Sequence, residues 1–152
     1  TQPSRFGGEE TTFLIATNPG QTPQPLNKIA SGGELSRISL AIQVATLGTS
    51  AVGTIIFDEV DVGIGGGVAQ TVGALLRTLS AQAQVLCVTH LGQVAAQGHN
   101  HFKVTKDSNA TAIELLSDSG RVAEIARMLS GIEITKKSLA HAREMIMTAQ
   151  SV

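Results

Sequence analysis

Two apolar runs in this chain end in side chains able to hold a cation or move a proton. "TIIFDE" closes on Asp58 and Glu59, and "AQVLCVTH" closes on Thr89 and His90. A carboxylate can carry a hydrated magnesium ion, and a second one or an imidazole can polarise a water molecule. A third group precedes them. "SGGELSR" places Ser31, Gly32, Gly33 and Glu34 at the start of an amphipathic helix. Ser31 and Glu34 have the spacing of a capping box, and the same S-x-x-E spacing recurs at Ser130–Glu133. A capping box does not require two glycines, each of which costs roughly 1 kcal/mol against alanine inside a helix. Bare backbone at a helix start exposes N–H groups to an anion, and the helix dipole favours negative charge there. Gly32 and Gly33 are therefore candidates for docking a phosphate.

These groups can meet only if the fold brings them together. The residues around Thr11–Thr17 read as a strand, and the Pro- and Gly-rich stretch after it as a loop. From Glu34, the positions Leu35, Ile38, Ile42 and Ala45 follow helical spacing. "GTIIFDE" and "AQVLCVTH" read as short strands buried on both faces, as in a parallel sheet. Between them a glycine-rich loop, "GIGGG", leads into a helix with Val68, Val72, Leu75, Leu76 and Leu79 on one face. "LGQVAAQG" reads as a short helix closed by Gly98. "HFKVTK" and "TAIELL" read as a hairpin around "DSNA". Helices over about Gly120–Leu129 and Lys136–Ala149 finish the chain, the latter capped by Thr135. Alternating strands and helices predict an α/β fold, with a largely parallel sheet flanked by helices. In such sheets ligands bind beyond the carboxyl ends of the strands. If the two central strands are neighbours, Asp58, Glu59 and His90 share one edge. Asp58 and Glu59 serve one site only if the chain turns there, since adjacent strand residues point to opposite faces.

Composition narrows the function. With 152 residues and 42% apolar content, the chain fits one domain with a real core. A net charge of −1 and 3% aromatic residues give no electrostatic or stacking platform for nucleic acid. Cys87 stands alone, and no apolar run approaches a membrane span, so a soluble, cytoplasmic protein is expected. The phosphate cradle G-x-x-x-x-G-K-[ST] is absent: no lysine follows a glycine.

In order and spacing, "SGGELSR" resembles the signature motif of ATP-binding-cassette ATPases. "TIIFDE" resembles their Walker B strand with its glutamate, "VDVGIGG" their D-loop, and "VTH" their switch histidine. "FLIATNPG", "LNKIASGGELSRISLA", "THLGQVAA" and "EIARMLSG" narrow the resemblance. From about Phe13 to Ala149 the chain resembles the C-terminal lobe of the RecN family of bacterial DNA double-strand-break repair ATPases, which are SMC-like.

The resemblance implies that residues 1–152 are one lobe of an ABC/SMC-type head and a fragment of a larger chain. The Walker A segment would lie in an N-terminal lobe of the same protein, which explains the missing cradle. It implies ATP and Mg²⁺ as ligands and two heads that sandwich ATP as a homodimer. DNA would be a partner of the full-length protein, the membrane would not, and the location would be cytoplasmic, at the nucleoid. Ser31, Gly32, Gly33 and Glu34 would meet the partner's nucleotide. Asp58 would support Mg²⁺ through water, Glu59 would polarise the attacking water, and His90 would contact the γ-phosphate or that water. Asp61 and Gly63 would belong to a loop speaking across the interface, although "GIGGG" lacks a serine expected there. The fragment alone would be inactive. Two alternatives stand beside this one. One is a self-contained metal phosphohydrolase built on Asp58, Glu59 and His90, against which the absent lysine motif counts. The other is a non-hydrolysing ATP-dependent clamp, which has no need of Glu59 as a base.

Overall fold

A computed structural model describes residues 7–8, 11–16, 18–28, 31–46, 52–107, 110–131 and 133–150. Two very short strands come first, β1 (Leu14–Ile15) and β2 (Gln24–Pro25), paired antiparallel. The first is shorter than the apolar run suggested, and Thr17 lies outside the described residues. Helix α1 (Gly32–Ala45) follows, then β3 (Thr54–Phe57), α2 (Gly66–Leu79), β4 (Gln84–Cys87) and the single-turn α3 (Gly92–Ala95). A hairpin of β5 (Phe102–Lys106) and β6 (Thr111–Leu115) leads to α4 (Asp118–Ser130) and α5 (Lys136–Gln150).

The fold is α/β, with its parallel pairing confined, among the described residues, to β3 and β4. These run side by side in the register Thr54↔Gln84 to Phe57↔Cys87. The pairing has a simple cause. Helix α2 carries the chain back along the sheet, as a crossover between parallel strands requires. One face of the pair, made by Ile55, Phe57, Val85 and Cys87, packs with Leu40 of α1 and with Val72, Leu76 and Leu79 of α2. The other face is open: Ile56 is 69% exposed, Leu86 43% and Val88 62%. The strands are thus covered on one side only, where the sequence predicted burial on both.

The helix faces differ from expectation in the same way. The covered stripe of α1 is Gly33, Arg37, Leu40 and Val44, whereas Leu35 and Ile42 are exposed. In α2, Ala69 and Gly73 join the core and Val68 does not. A second core, between α3, α4 and α5, holds Ala95, Ala96, Ile125, Ala126, Ala142 and Ile146. Arg121 of α4 holds the segment just after α3, donating to the carbonyls of Ala96, Gly98 and His99. The helix ends follow local chemistry. Ser117 caps α4 by accepting from Gly120 N–H at 3.2 Å. Thr135 and Ser138 cap α5 reciprocally: Ser138 N–H donates to Thr135 Oγ1 at 3.1 Å, and Thr135 N–H donates to Ser138 Oγ at 2.9 Å. Ser130, the start of the second S-x-x-E, instead ends α4 and donates to Ala126 O.

Candidate functional site

The parallel register sets the site. Because Phe57 pairs with Cys87, both strands end at one edge, and Val88 N–H still bonds Phe57 O at 3.0 Å. The chain does turn after Phe57. Asp58 and Glu59 form a bend, Val60–Gly63 a turn, and Glu59 adopts φ +58°. That left-handed conformation is uncommon for a residue with a side chain, and the surroundings maintain it. Asp58 Oδ1 accepts from Glu59 N–H at 2.9 Å, and Ser36 of α1 donates to Asp58 O at 2.8 Å. Asp58 and Glu59 both remain exposed, on a turn and not on opposite faces of a strand.

The loop packs directly on the start of α1, which explains the glycine pair. A Cβ on Gly32 would lie 2.5 Å from Glu59 Oε2. A Cβ on Gly33 would lie 3.0 Å from Glu59 O and 3.1 Å from Val62 O. The carboxylate of Glu59 therefore lies at the N-terminus of a helix, where the dipole favours an anion. Ser31 is the N-cap, but its bond from Glu34 N–H is long, 3.5 Å. Arg37, one turn beyond Gly33, donates to Val62 O at 2.9 Å and Val60 O at 3.3 Å. Sequence reasoning passed over Ser36 and Arg37. Their signal was position, since residues three and four beyond Gly33 share its helix face.

From the turn, contact passes to the second strand. Asp61 is 1% exposed. Its Oδ2 accepts from Thr89 Oγ1 at 2.5 Å and from His90 N–H at 3.0 Å, and lies 3.3 Å from His90 Nδ1. The His90 side chain is 67% exposed. Gly63, at φ +75°, closes the turn, and the expected glycine loop leads into α2 from Gly65 as N-cap. Cys87 reports the crowding of charge at this edge: burial pushes its thiol up to about 12, and the carboxylates of Asp61 and Asp58 add to the effect.

Ser31–Glu34, Asp58, Glu59, Asp61, Gly63 and His90 lie on three segments that meet at one edge: the start of α1, the turn after β3 and the end of β4. Asp61 faces inward. Among the described residues no three His, Cys, Asp or Glu side chains form a metal-ligating group, so Asp58, Glu59 and His90 do not assemble as one ligand set. Magnesium held through water by a single carboxylate fits better, because Asp58 is exposed and its hydrogen bond engages Oδ1 alone.

No family model matches the chain. It is 56% identical over 155 residues to the DNA repair protein RecN of Xylella fastidiosa (strain Temecula1), covering 99% of this chain and 28% of that protein. It is 56% identical to RecN of Haemophilus influenzae (94% of this chain, 26% of that protein) and 44% identical to RecN of Bacillus subtilis (92% and 25%). The chain therefore spans about a quarter of the length of these relatives. Among solved structures, an SMC ATPase described for ATP-driven dimerization and DNA-stimulated activation superposes with a TM-score of 0.55 at 18% identity, over 79% of this chain and 81% of that one. The fold is that of an ABC/SMC-type ATPase lobe, and along nearly its whole length the chain is similar to a segment of the RecN DNA repair proteins.

Proposed function

We propose that this lobe supplies the signature helix, the Walker B carboxylates and the switch histidine to a composite ATP site of a DNA-repair ATPase. The observation that carries the reading is the packing of three motifs, distant in sequence, on one edge: the start of α1, the turn after β3 and the end of β4. The edge has acid, base and helix-terminus chemistry but no phosphate cradle. The chain also leaves an apolar sheet face open at Ile56, Leu86 and Val88. An N-terminal Walker A lobe of the same protein fits both gaps.

In this reading Glu59 takes a proton from, or orients, the water that attacks the γ-phosphate of ATP. Asp58 holds Mg²⁺ through water, and the ion supplies charge neutralisation to the phosphates when bound. His90 presents its outer ring nitrogen to the phosphate or the water. Ser31, Gly32, Gly33 and Glu34 face the nucleotide of a second head, so ATP joins two heads, and DNA is engaged by the full-length protein. The left-handed turn at Glu59 holds the carboxylate against Gly32, so docking of a phosphate there is coupled to movement of Glu59. The test is reconstitution. The chain alone should hydrolyse ATP no faster than a blank, and adding the N-terminal Walker A segment should restore turnover. Glu59→Gln in the complete protein should retain ATP binding and lose roughly 10²–10⁴ in turnover. Robust hydrolysis by the isolated chain, constant on dilution, would favour the self-contained phosphohydrolase.

A further inference from the structure

Asp61 is the most deeply buried carboxylate of the described residues, 1% exposed. A buried charge is retained only when its oxygens are satisfied. Here Oδ2 gathers the Thr89 hydroxyl and the His90 N–H, and the imidazole Nδ1 stands 3.3 Å away. Thr89 Oγ1 in turn accepts from Leu91 N–H at 3.1 Å, so the whole segment Thr89–Leu91 hangs on this one side chain. Arg37 anchors the other side of the same turn through Val60 O and Val62 O. We infer that Asp61 is a positioning residue for His90: it fixes the Thr89–Leu91 backbone and holds the proton of the neutral imidazole on Nδ1, leaving Nε2 as the nitrogen presented to solvent and substrate.

The chemistry follows from the ring. A neutral imidazole carries one proton, and the hydrogen bond made by one nitrogen decides what the other offers. With Nδ1–H directed at Asp61, Nε2 accepts a hydrogen bond. It is then suited to a water proton, and to a phosphate oxygen only when the ring is charged. A carboxylate performs the same service for the imidazole of a Ser-His-Asp triad. This role of Asp61 rests on the reading of this edge as a hydrolytic site.

The experiment uses the complete protein and two readouts. Asp61→Asn keeps the volume but removes the charge; because one oxygen, Oδ2, meets Thr89 Oγ1, His90 N–H and His90 Nδ1, the neutral amide weakens all three contacts and no longer draws the ring proton to Nδ1. In ¹⁵N-histidine NMR above neutral pH, with the His90 signals assigned by their loss in His90→Ala, the wild type should show the Nδ1–H form. Asp61→Asn should shift it toward Nε2–H. A wild-type Nε2–H form, or a tautomer unmoved by Asp61→Asn, overturns the inference whatever the hydrolysis data show. In the second readout, Asp61→Asn should lower kcat roughly 10–100-fold at little-changed KM, the scale for losing a group that orients an imidazole. It should add nothing in a His90→Ala background. Additive losses overturn the positioning role. If Asp61→Asn does not fold, Thr89→Val removes the hydroxyl that fixes Oδ2, and its loss should likewise vanish when His90 is alanine. Failure of the hydrolytic reading has a separate signature: Glu59→Gln would then turn over ATP like the wild type.

Discussion

Alanine at Gly32 and at Gly33 should have different consequences, although the two residues are adjacent in one motif. At Gly33 the new methyl meets backbone. Glu59 O would be 3.0 Å away, Val62 O 3.1 Å, and the Arg37 guanidinium, which bonds that same loop, 3.1 Å. Gly33 is buried, so the loop must retreat by a few tenths of an ångström, pulling on the turn that carries Asp61. Overpacking of this kind costs about 1–3 kcal/mol, and the gain in helix propensity returns up to about 1. A net loss of about 1–2 kcal/mol is expected. At Gly32 the methyl meets only the far end of the Glu59 side chain, Oε2 at 2.5 Å and Cδ at 3.7 Å. Glu59 rotates away, and stability should stay within about 0.5 kcal/mol of wild type, while turnover falls because the carboxylate has moved. Denaturation midpoints, together with hydrogen exchange at Val62 and Ile64, whose N–H groups bond Glu59 O and Asp61 O, separate the two variants. If Gly33→Ala is as stable and as well protected as wild type, or if Gly32→Ala is the more destabilised, the glycines are not there to admit the loop. An external phosphate would then be their only reason.

Ser31→Arg should abolish ATP-dependent dimerisation of the complete protein, seen by light scattering, while nucleotide binding by one head survives; a dimer that persists removes the trans role of α1. Lys103 and Arg127 hold Glu124 at 2.7 and 2.6 Å and draw its carboxyl down from 4.5 to about 2, with the Arg127 bond the larger cause. A depressed acid stabilises the fold above its unfolded value, so up to about 3 kcal/mol should be present above pH 4.5 and lost as pH falls toward 2; Glu124→Gln should flatten that part of the stability curve. Cys87, with its thiol raised to about 12, should resist alkylation at pH 8 in the native protein and react on unfolding; fast native labelling would show that this edge opens.

Much of the fold was legible because its elements are locally determined. The hairpin, the cap at Thr135 and the strands ending at Asp58 and His90 each follow from short-range chemistry. What misled the reading was burial. Periodicity marks apolar faces but does not say what covers them, and α1 has two such faces. Leu40 and Val44 pack inward, while Leu35 and Ile42 do not. The site was legible as residue types and only half legible as geometry. The convergence of Asp58, Glu59 and His90 required the parallel register, which spacing alone made plausible. The inward turn of Asp61 had no signal in the sequence, because an aspartate in a polar loop is usually solvated.

The two errors of burial have one physical cause. Strands read as doubly covered and a helix read as apolar on its far side describe surfaces selected to be buried, and this chain buries only half of them. Exposed Ile56 and Leu86, paired across β3 and β4, and Val88 just beyond β4 lie outside the core that α1 and α2 form on the strand pair. Phe102, Val104, Ile113 and Leu115 form cross-strand pairs on the hairpin and are exposed as well. Contiguous apolar surface of this kind marks an interaction face. The edge that carries Glu59 and His90 lacks a phosphate cradle, and the sheet behind it lacks a cover. In the proposed reading a single additional lobe meets both needs. Separating them is direct: aspartate at Ile56 and Leu86 should leave the core formed by Phe57 and Leu76 intact, yet abolish reconstitution with the Walker A segment. Normal reconstitution by that double variant would show that the cradle arrives without covering this face, and the link between the open sheet and the incomplete site would fail.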